Sequence, residues 1–302
     1  MNLLPRGCPS CRNATGSRLF RESNVDETRW TDASFSSRKL PEYMHFALRT
    51  CSACDLTYAA AVPAPEVIGA AYRSASFSAG RESRYAAQTY IGYLRDAAVA
   101  PGTALDIGAA DGAFLRELLR YGFTDVVGIE PSEAPVRSAG DDVRPFLRNE
   151  LFDGASFAPN TFDLVTCFQT IEHVFEPREL LEAMYRVLKP GGTALLVAHD
   201  VNALSARVLG SKSPIFDIEH LQLFNRRSLR RVLESAGFRD VRVFPVRNAY
   251  PVSYWTRLFP LPGALKSRLL DALERGALRA LGDHVVALPA GNIGAFAKKA
   301  AA

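Results

Sequence analysis

Ala104-Leu-Asp-Ile-Gly-Ala-Ala-Asp-Gly112 is the stretch on which the reading of this chain turns. An apolar strand runs into a turn of tiny residues and a helix follows. Val126-Val-Gly-Ile-Glu130 then ends a second strand on a carboxylate. Small residues in such a turn let the backbone approach a nucleoside, and the distal acid accepts both ribose hydroxyls. A pyrophosphate-binding turn asks for Gly-x-Gly-x-x-Gly at the start of its helix. Here the spacing is Gly108-x-Ala110-x-Gly112, with Asp106 at the strand end and Asp111 inside the turn. Two carboxylates repel a diphosphate and suit a cationic ligand that carries an ammonium and a sulfonium.

Outward from that unit, strands and helices alternate. Residues 103–107 read as the first strand, 113–121 as its helix with Gly122 as C-cap, and 125–130 as the second strand. A weakly patterned segment to about residue 149 holds the third strand, and 162–168 form the fourth. A helix over 179–188 ends at Lys189-Pro-Gly-Gly192, and 193–198 form the fifth strand. Asn225 caps a helix in which Leu229, Val232, Leu233 and Ala236 recur at helical spacing, and 238–244 are the sixth strand. Residues 292–298 close the pattern. Such alternation implies a parallel sheet with helices on both faces.

These residues resemble the class I S-adenosylmethionine-dependent methyltransferases, from about residue 85 to residue 299. The resemblance implies an α/β fold: a seven-stranded, doubly wound, Rossmann-like sheet whose last strand slots antiparallel beside the sixth. It implies that Asp106, Gly108, Ala110 and Gly112 contact the methionine portion of S-adenosylmethionine, and that Glu130 holds the ribose hydroxyls. Pro131 and Ser132 then flank the adenine, and Asp153 or the backbone at 151–152 meets its amino group, although this segment departs from the family's commoner acidic pattern. Gln169-Thr-Ile-Glu-His173 resembles the stretch beside the transferred methyl, which puts Gln169 on the cofactor's amino-acid end. Glu172 and His173 are read both as braces of the following turn and as functional groups. His199, and His220 in Asp217-Ile-Glu-His-Leu-Gln-Leu-Phe224, fall in the acceptor-facing region as candidate bases, since imidazole titrates near neutrality.

Four of five cysteines form two knuckles, Cys8-Pro-Ser-Cys11 and Cys51-Ser-Ala-Cys54. Two Cys-x-x-Cys pairs match a tetrahedral zinc site, structural in role because four thiolates leave no position for water. Cys167 reads as an inert core thiol. The opening Met-Asn-Leu-Leu-Pro-Arg-Gly-Cys8 has no apolar signal core and no run of eighteen apolar residues exists, so a cytoplasmic, reducing location is expected. The expected organisation is a zinc ribbon over 1–60, a linker and helical lid over 61–100, and an S-adenosylmethionine-binding domain over 101–302. Tyr72, Phe77, Tyr85, Tyr90 and Tyr93 mark the lid stretch. Ribbon and sheet domain are expected to have separate cores. An insertion over about 246–288 carries Leu265, Leu269, Leu273, Ala277 and Leu281 four apart, as one amphipathic helix. A lid, a dimer contact, a membrane contact and packing against the sheet all stay open for it. The chain's net charge of +4 is uneven, with nine Lys/Arg against three Asp/Glu from Arg242 onward. Such a tail fits an anionic acceptor, a membrane surface or a solvated helix face.

Two-part proteins of this kind resemble small-molecule methyltransferases of sugar, polysaccharide and secondary-metabolite pathways. The expected acceptor is a hydroxyl of a sugar, glycolipid or metabolite, with carbon methylation of a nucleotide-linked sugar as the alternative. The amino-methylating Asn-Pro-Pro-Tyr motif is absent after the fourth strand, where Cys167-Phe-Gln-Thr170 stands, which argues against nucleic acid. A nicotinamide-dependent oxidoreductase and a non-catalytic zinc-ribbon interaction protein are the rival readings.

Overall fold

Ala104, Leu105, Asp106 and Ile107 are all buried, as a central parallel strand covered on both faces must be. The computed structural model describes residues 2–13, 16–29, 34, 42–73, 81–259 and 261–301. The amino-terminal part comprises strands β1 (Leu4–Pro5), β2 (Ser17–Arg21), β3 (Leu48–Cys51), β4 (Thr57–Ala59) and β5 (Ala61–Val62). Helices α1 (Pro65–Arg73) and α2 (Arg81–Asp96) follow. They fall in the stretch read as a lid, of which Phe77 lies outside the described residues.

Next come β6 (Thr103–Ile107), α3 (Ala113–Tyr121), β7 (Asp125–Ile129), α4 (Glu133–Ser138), β8 (Leu147–Arg148) and β9 (Phe162–Phe168). They are followed by α5 (Pro177–Val187), β10 (Leu188–His199), α6 (Leu204–Leu209), β11 (Gln222–Leu223), α7 (Arg226–Ser235) and β12 (Arg239–Pro251). The chain ends with α8 (Val252–Leu258), α9 (Gly263–Glu274), α10 (Arg279–Gly282) and β13 (Val285–Lys298).

Seven strands form one sheet in the order β12-β13-β10-β9-β6-β7-β8. Every pair is parallel except those of β13, which runs antiparallel to both β10 and β12. The expected architecture is therefore present. After β6 the chain winds outward through β7 and β8, then returns to β9 on the other side. The crevice at the carboxyl ends of β6 and β9 is the topological switch point, where doubly wound sheets bind ligands.

Two expectations fail. The leucine stripe of the insertion is not one buried helix: α9 stops before Gly276, Leu273 is buried, and Leu265 and Leu281 are about half exposed. β12 and β13 also run on as a ladder from Asn248↔Leu288 to Pro251↔Val285, so helices occupy only 252–282 of the expected insertion. The separate cores are absent as well. Cys8, Cys51, Cys54, Leu56 and Tyr58 pack in the same buried cluster as Leu181, Phe224 and Leu229. The reason lies in the strand pairing: β11, from the sheet domain, completes a four-stranded sheet in the order β11-β4-β3-β2. Among the described residues no helix is long and apolar enough to cross a membrane.

Candidate active site

The turn after β6 is built from left-handed residues: Gly108 at φ 79°, Ala110 at 46° and Gly112 at 72°. A Cβ on Gly108 would collide with the Thr170 side chain from the turn after β9, so the two switch-point turns touch through this glycine. Ala110 holds the same strained region despite its Cβ, at a cost of roughly 1 kcal/mol. Its N–H donates to Glu130 Oε2 at 3.0 Å, and Ser132 N–H donates to Oε1 at 2.8 Å. Each carboxylate oxygen keeps a further lone pair for a ligand's hydroxyl. Burial pushes the Glu130 carboxyl up, and the two N–H donors act against it.

Asp106 is 2% exposed and accepts from Thr166 Oγ1 at 2.7 Å. Burial, opposed by that hydroxyl and reinforced by the Glu130 charge, pushes its carboxyl up to about 7. This pair suits a bound ammonium and disfavours a diphosphate, which is the fit expected of S-adenosylmethionine. Asp111 accepts from Ser83 Oγ of α2 at 3.1 Å, tying that helix to the turn. Pro131 is half-buried beside Glu130. Gln169 is half-buried at φ 48°, its N–H donating to Val197 O at 2.7 Å. Asp153 stands exposed, its carboxylate accepting from Ala155 N–H at 2.8 Å to cap a short 3-10 turn.

The three candidate histidines come together. His220 lies between the other two, with ring centroids 5.0 Å from His173 and 4.8 Å from His199. His220 Nδ1–H donates to Ile215 O at 2.9 Å. His173 Nδ1 lies 2.9 Å from the Tyr72 hydroxyl and 3.1 Å from Glu219 O. His199 Nδ1–H donates to Asn292 Oδ1 at 2.9 Å. Ile215 O and Asn292 Oδ1 only accept, so the neutral His220 and His199 rings carry their lone pairs on Nε2, the tautomer a general base needs, whereas the His173 ring lies against Glu219 O, the Tyr72 hydroxyl and the Gln169 backbone. Burial, with the nearby His199, lowers His173 to about 4, which keeps it neutral at physiological pH. Glu172 is fully buried and accepts from His199 N–H through Oε1 at 2.6 Å. Its Oε2 has no hydrogen-bond partner among the described residues, and burial pushes the carboxyl up.

Thr166 was not singled out from sequence, and Ser132 and Tyr72 were read only as an adenine flank and a lid aromatic. Ser132 Oγ donates to Tyr72 O at 2.6 Å, so α1 reaches from the Glu130 end of the crevice to His173. No local motif marks such contacts, which join residues distant in sequence.

At the other end of the ribbon, the sulfurs of Cys8, Cys11, Cys51 and Cys54 all lie within 4.8 Å of one another. Cys8 and Cys54 are 3.4 Å apart, and Cys11 and Cys51 3.5 Å. A tetrahedron with metal–sulfur bonds of about 2.3 Å puts sulfurs roughly 3.8 Å apart. All four are free thiols. Hydrogen bonding between Cys8 and Cys54 pulls the Cys54 thiol down and pushes the Cys8 thiol up, and the close set of four thiols suits a thiophilic ion.

The sequence-family description "Methyltransferase domain" matches residues 80–243. The ubiquinone biosynthesis O-methyltransferase of Pseudomonas paraeruginosa is 33% identical over 109 residues, covering 33% of this chain and 45% of that one. The protein of the same name from Pseudomonas entomophila is 37% identical over 97 residues, covering 29% and 40%. The chain thus spans less than half the length of these curated relatives. A solved S-adenosylmethionine-dependent methyltransferase from Archaeoglobus fulgidus aligns with a TM-score of 0.47 at 19% identity, covering 72% of this chain and 97% of that one. One from Thermotoga maritima aligns with a TM-score of 0.47 at 19% identity, covering 72% and 91%.

Proposed function

The chain belongs to the methyltransferase-domain family, and from that premise we propose that it transfers a methyl group from S-adenosylmethionine to a hydroxyl of a small-molecule acceptor. The observation that carries the reading is the buried carboxylate pair Asp106 and Glu130, set at the switch point on the same side of the sheet as the clustered His173, His199 and His220. When bound, the cofactor supplies an electrophilic methyl on its sulfonium. Glu130, oriented by the Ala110 and Ser132 N–H groups, receives the ribose hydroxyls. Asp106, with the backbone of Gly108, Ala110 and Gly112, faces the methionine end, and Gln169 lies at the turn beside it. Pro131 flanks the adenine. Asp153 meets the adenine amino group with the carboxylate oxygen that its cap leaves unused.

His220 Nε2 takes the acceptor's proton, and Ile215 O fixes its tautomer. Such a base supplies on the order of a hundred- to ten-thousand-fold. His173 and His199 wall the position on either side. The names of the Pseudomonas relatives support oxygen as the methylated atom over the carbon of a nucleotide-linked sugar. They lend no support to a sugar or glycolipid, so the proposal stops at a small-molecule hydroxyl. Zinc is the proposed occupant of the four-cysteine site, in a structural role, and a zinc-binding thiol set would fit a reducing, cytoplasmic location. The exposed Phe259, Leu265, Leu278 and Leu281 support the insertion as a docking face, for a membrane surface or a second copy, rather than as core.

Calorimetric titration with S-adenosylhomocysteine, with NAD as control, tests the cofactor. Micromolar binding of the first alone is expected, and binding of NAD alone would overturn the reading. Turnover with simple phenols and with methyl glycosides, in separate arms, then tests the base. His220→Ala should lower it at least tenfold with cofactor affinity unchanged, and an unchanged rate removes His220 from that role.

A further inference from the structure

Arg6 sits two residues before the first knuckle, held by the pairing of β1 with β5 and by its own N–H donating to Ala60 O at 2.8 Å. Its guanidinium is spread over three segments that are far apart in sequence. Nε donates to Ala59 O at 3.0 Å, at the end of ribbon strand β4. Nη1 donates to Phe175 O at 2.8 Å, in the turn that carries His173. Nη2 donates to Leu221 O at 2.9 Å and to Gln222 Oε1 at 2.8 Å, immediately after His220. The Phe175 ring stands 5.4 Å beneath the guanidinium carbon.

The two histidine turns are also sewn to each other here. Gln222 Nε2 donates to Ile171 O at 2.7 Å and to Val174 O at 2.8 Å, and Leu221 N–H donates to Glu172 O at 2.9 Å. The ribbon reinforces the seam, since Ala59 N–H donates to Leu221 O at 2.8 Å and Gln222 pairs with Tyr58. Every acceptor of the Arg6 fork is therefore either the ribbon or a turn bearing one of the clustered histidines. A planar fork with fixed donor directions can define three backbones at once, which a flexible ammonium cannot.

We propose that Arg6 is a positioning residue, through which the ribbon sets the His173 and His220 turns against each other at the acceptor side of the crevice. The ribbon is then a working part of the active site, and Arg6 is its point of contact. Alignment is steeply rewarded in such a site: a misplacement of about 1 Å costs on the order of a hundredfold. The inference rests on the reading of His173 and His220 as acceptor-side groups.

The test uses the full-length, metal-loaded chain as Arg6→Lys and Arg6→Ala. Three quantities are read: affinity for S-adenosylhomocysteine, the proton signals of the histidine rings by NMR, and turnover in the phenol and glycoside arms. Expected are an affinity within about twofold of the parent, displaced signals for His173 and His220 but not for His284, and a turnover at least tenfold lower. The loss should fall on kcat rather than on cofactor KM. Guanidinium ion added to Arg6→Ala should restore part of the turnover, because it refills a planar, donor-specific gap. If Arg6→Ala does not fold, Arg6→Lys decides alone. Parent-like histidine signals in Arg6→Lys overturn the proposal, and so does loss of cofactor binding in step with turnover, which would mark Arg6 as general support for the fold. His220→Ala separates the two readings: full turnover there removes the base, while displaced signals in the Arg6 variants still uphold the positioning role.

Discussion

Asp106 is where burial and charge compete most sharply. Its carboxyl, near 3.8 in water, is pushed up to about 7 by burial against the Thr166 hydroxyl's opposition and with the Glu130 charge adding to it. A raised folded value means that the ligand-free protein prefers the protonated acid. The associated stability is full below the ordinary carboxyl value and is lost as pH rises through about 7. A ligand ammonium reverses that preference, because it favours the ionised form. Affinity for S-adenosylhomocysteine should therefore climb as pH rises from 5.5 to 7.5, at most about tenfold per unit below the folded value. Asp106→Asn should bind more weakly and without that slope, and titration calorimetry across the pH series reads both. A flat profile in the parent chain would place the ammonium away from Asp106. Gly108, Gly112 and Glu130 were legible in the sequence because backbone approach and a distal acid leave a local spacing. Thr166 and the contacts of Tyr72 were not, since they depend on pairing across β6 and β9 and on how α1 lies over the crevice.

Elements were legible where their own residues fix them. The limits of β6, α3 and β9 match the sequence reading, and Gly122 caps α3 at φ 112° as expected. They were illegible where a distant partner decides. β8 is two residues long and exists through its pairing with β7, while β12 and β13 extend each other past the ends their compositions suggest. Helix α7 shows both kinds of cause at one residue. Asn225 accepts from Arg227 N–H and Ser228 N–H, both at 2.9 Å, the cap that the sequence foretold, and completes a capping box with Ser228 that it did not. Its Nδ2 also donates to Asp55 O at 3.0 Å in the second knuckle, a contact no local pattern announces. Loss of the cap costs about 1 kcal/mol, and loss of the knuckle contact about 1 kcal/mol more. Asn225→Ala should therefore lower the unfolding free energy by about 2 kcal/mol, read as a lower urea midpoint with the slope unchanged. Asn225→Asp keeps the cap and loses the donor, so it should recover about half. Equal losses in both variants would assign the whole effect to the knuckle contact.

For the whole molecule, the question is whether ribbon and sheet unfold as one body. Composition and the Ala/Pro stretch after the second knuckle suggest two, because a knuckle pair with its own metal needs no outside core. Three contacts decide otherwise. β11 adds the sheet domain's own chain to the ribbon sheet, and the buried side of the knuckles packs beside Phe224 and Leu229. Arg227, on α7, pairs with Asp55 at 2.7 Å. Metal binding is linked to whatever folds with the site. Removal of the proposed zinc by a chelator under reducing conditions should therefore lower the melting temperature of the entire chain in one transition. It should also move the His220 ring signal, since β11 begins two residues after that histidine. Differential scanning calorimetry with near-ultraviolet circular dichroism reads the first effect and NMR the second. Two separated transitions, with the larger unmoved and S-adenosylhomocysteine bound as before, would restore the picture of independent cores. A single shifted transition would mean that the thiolate site stabilises the same cooperative unit that holds the catalytic crevice, although its sulfurs lie outside that crevice.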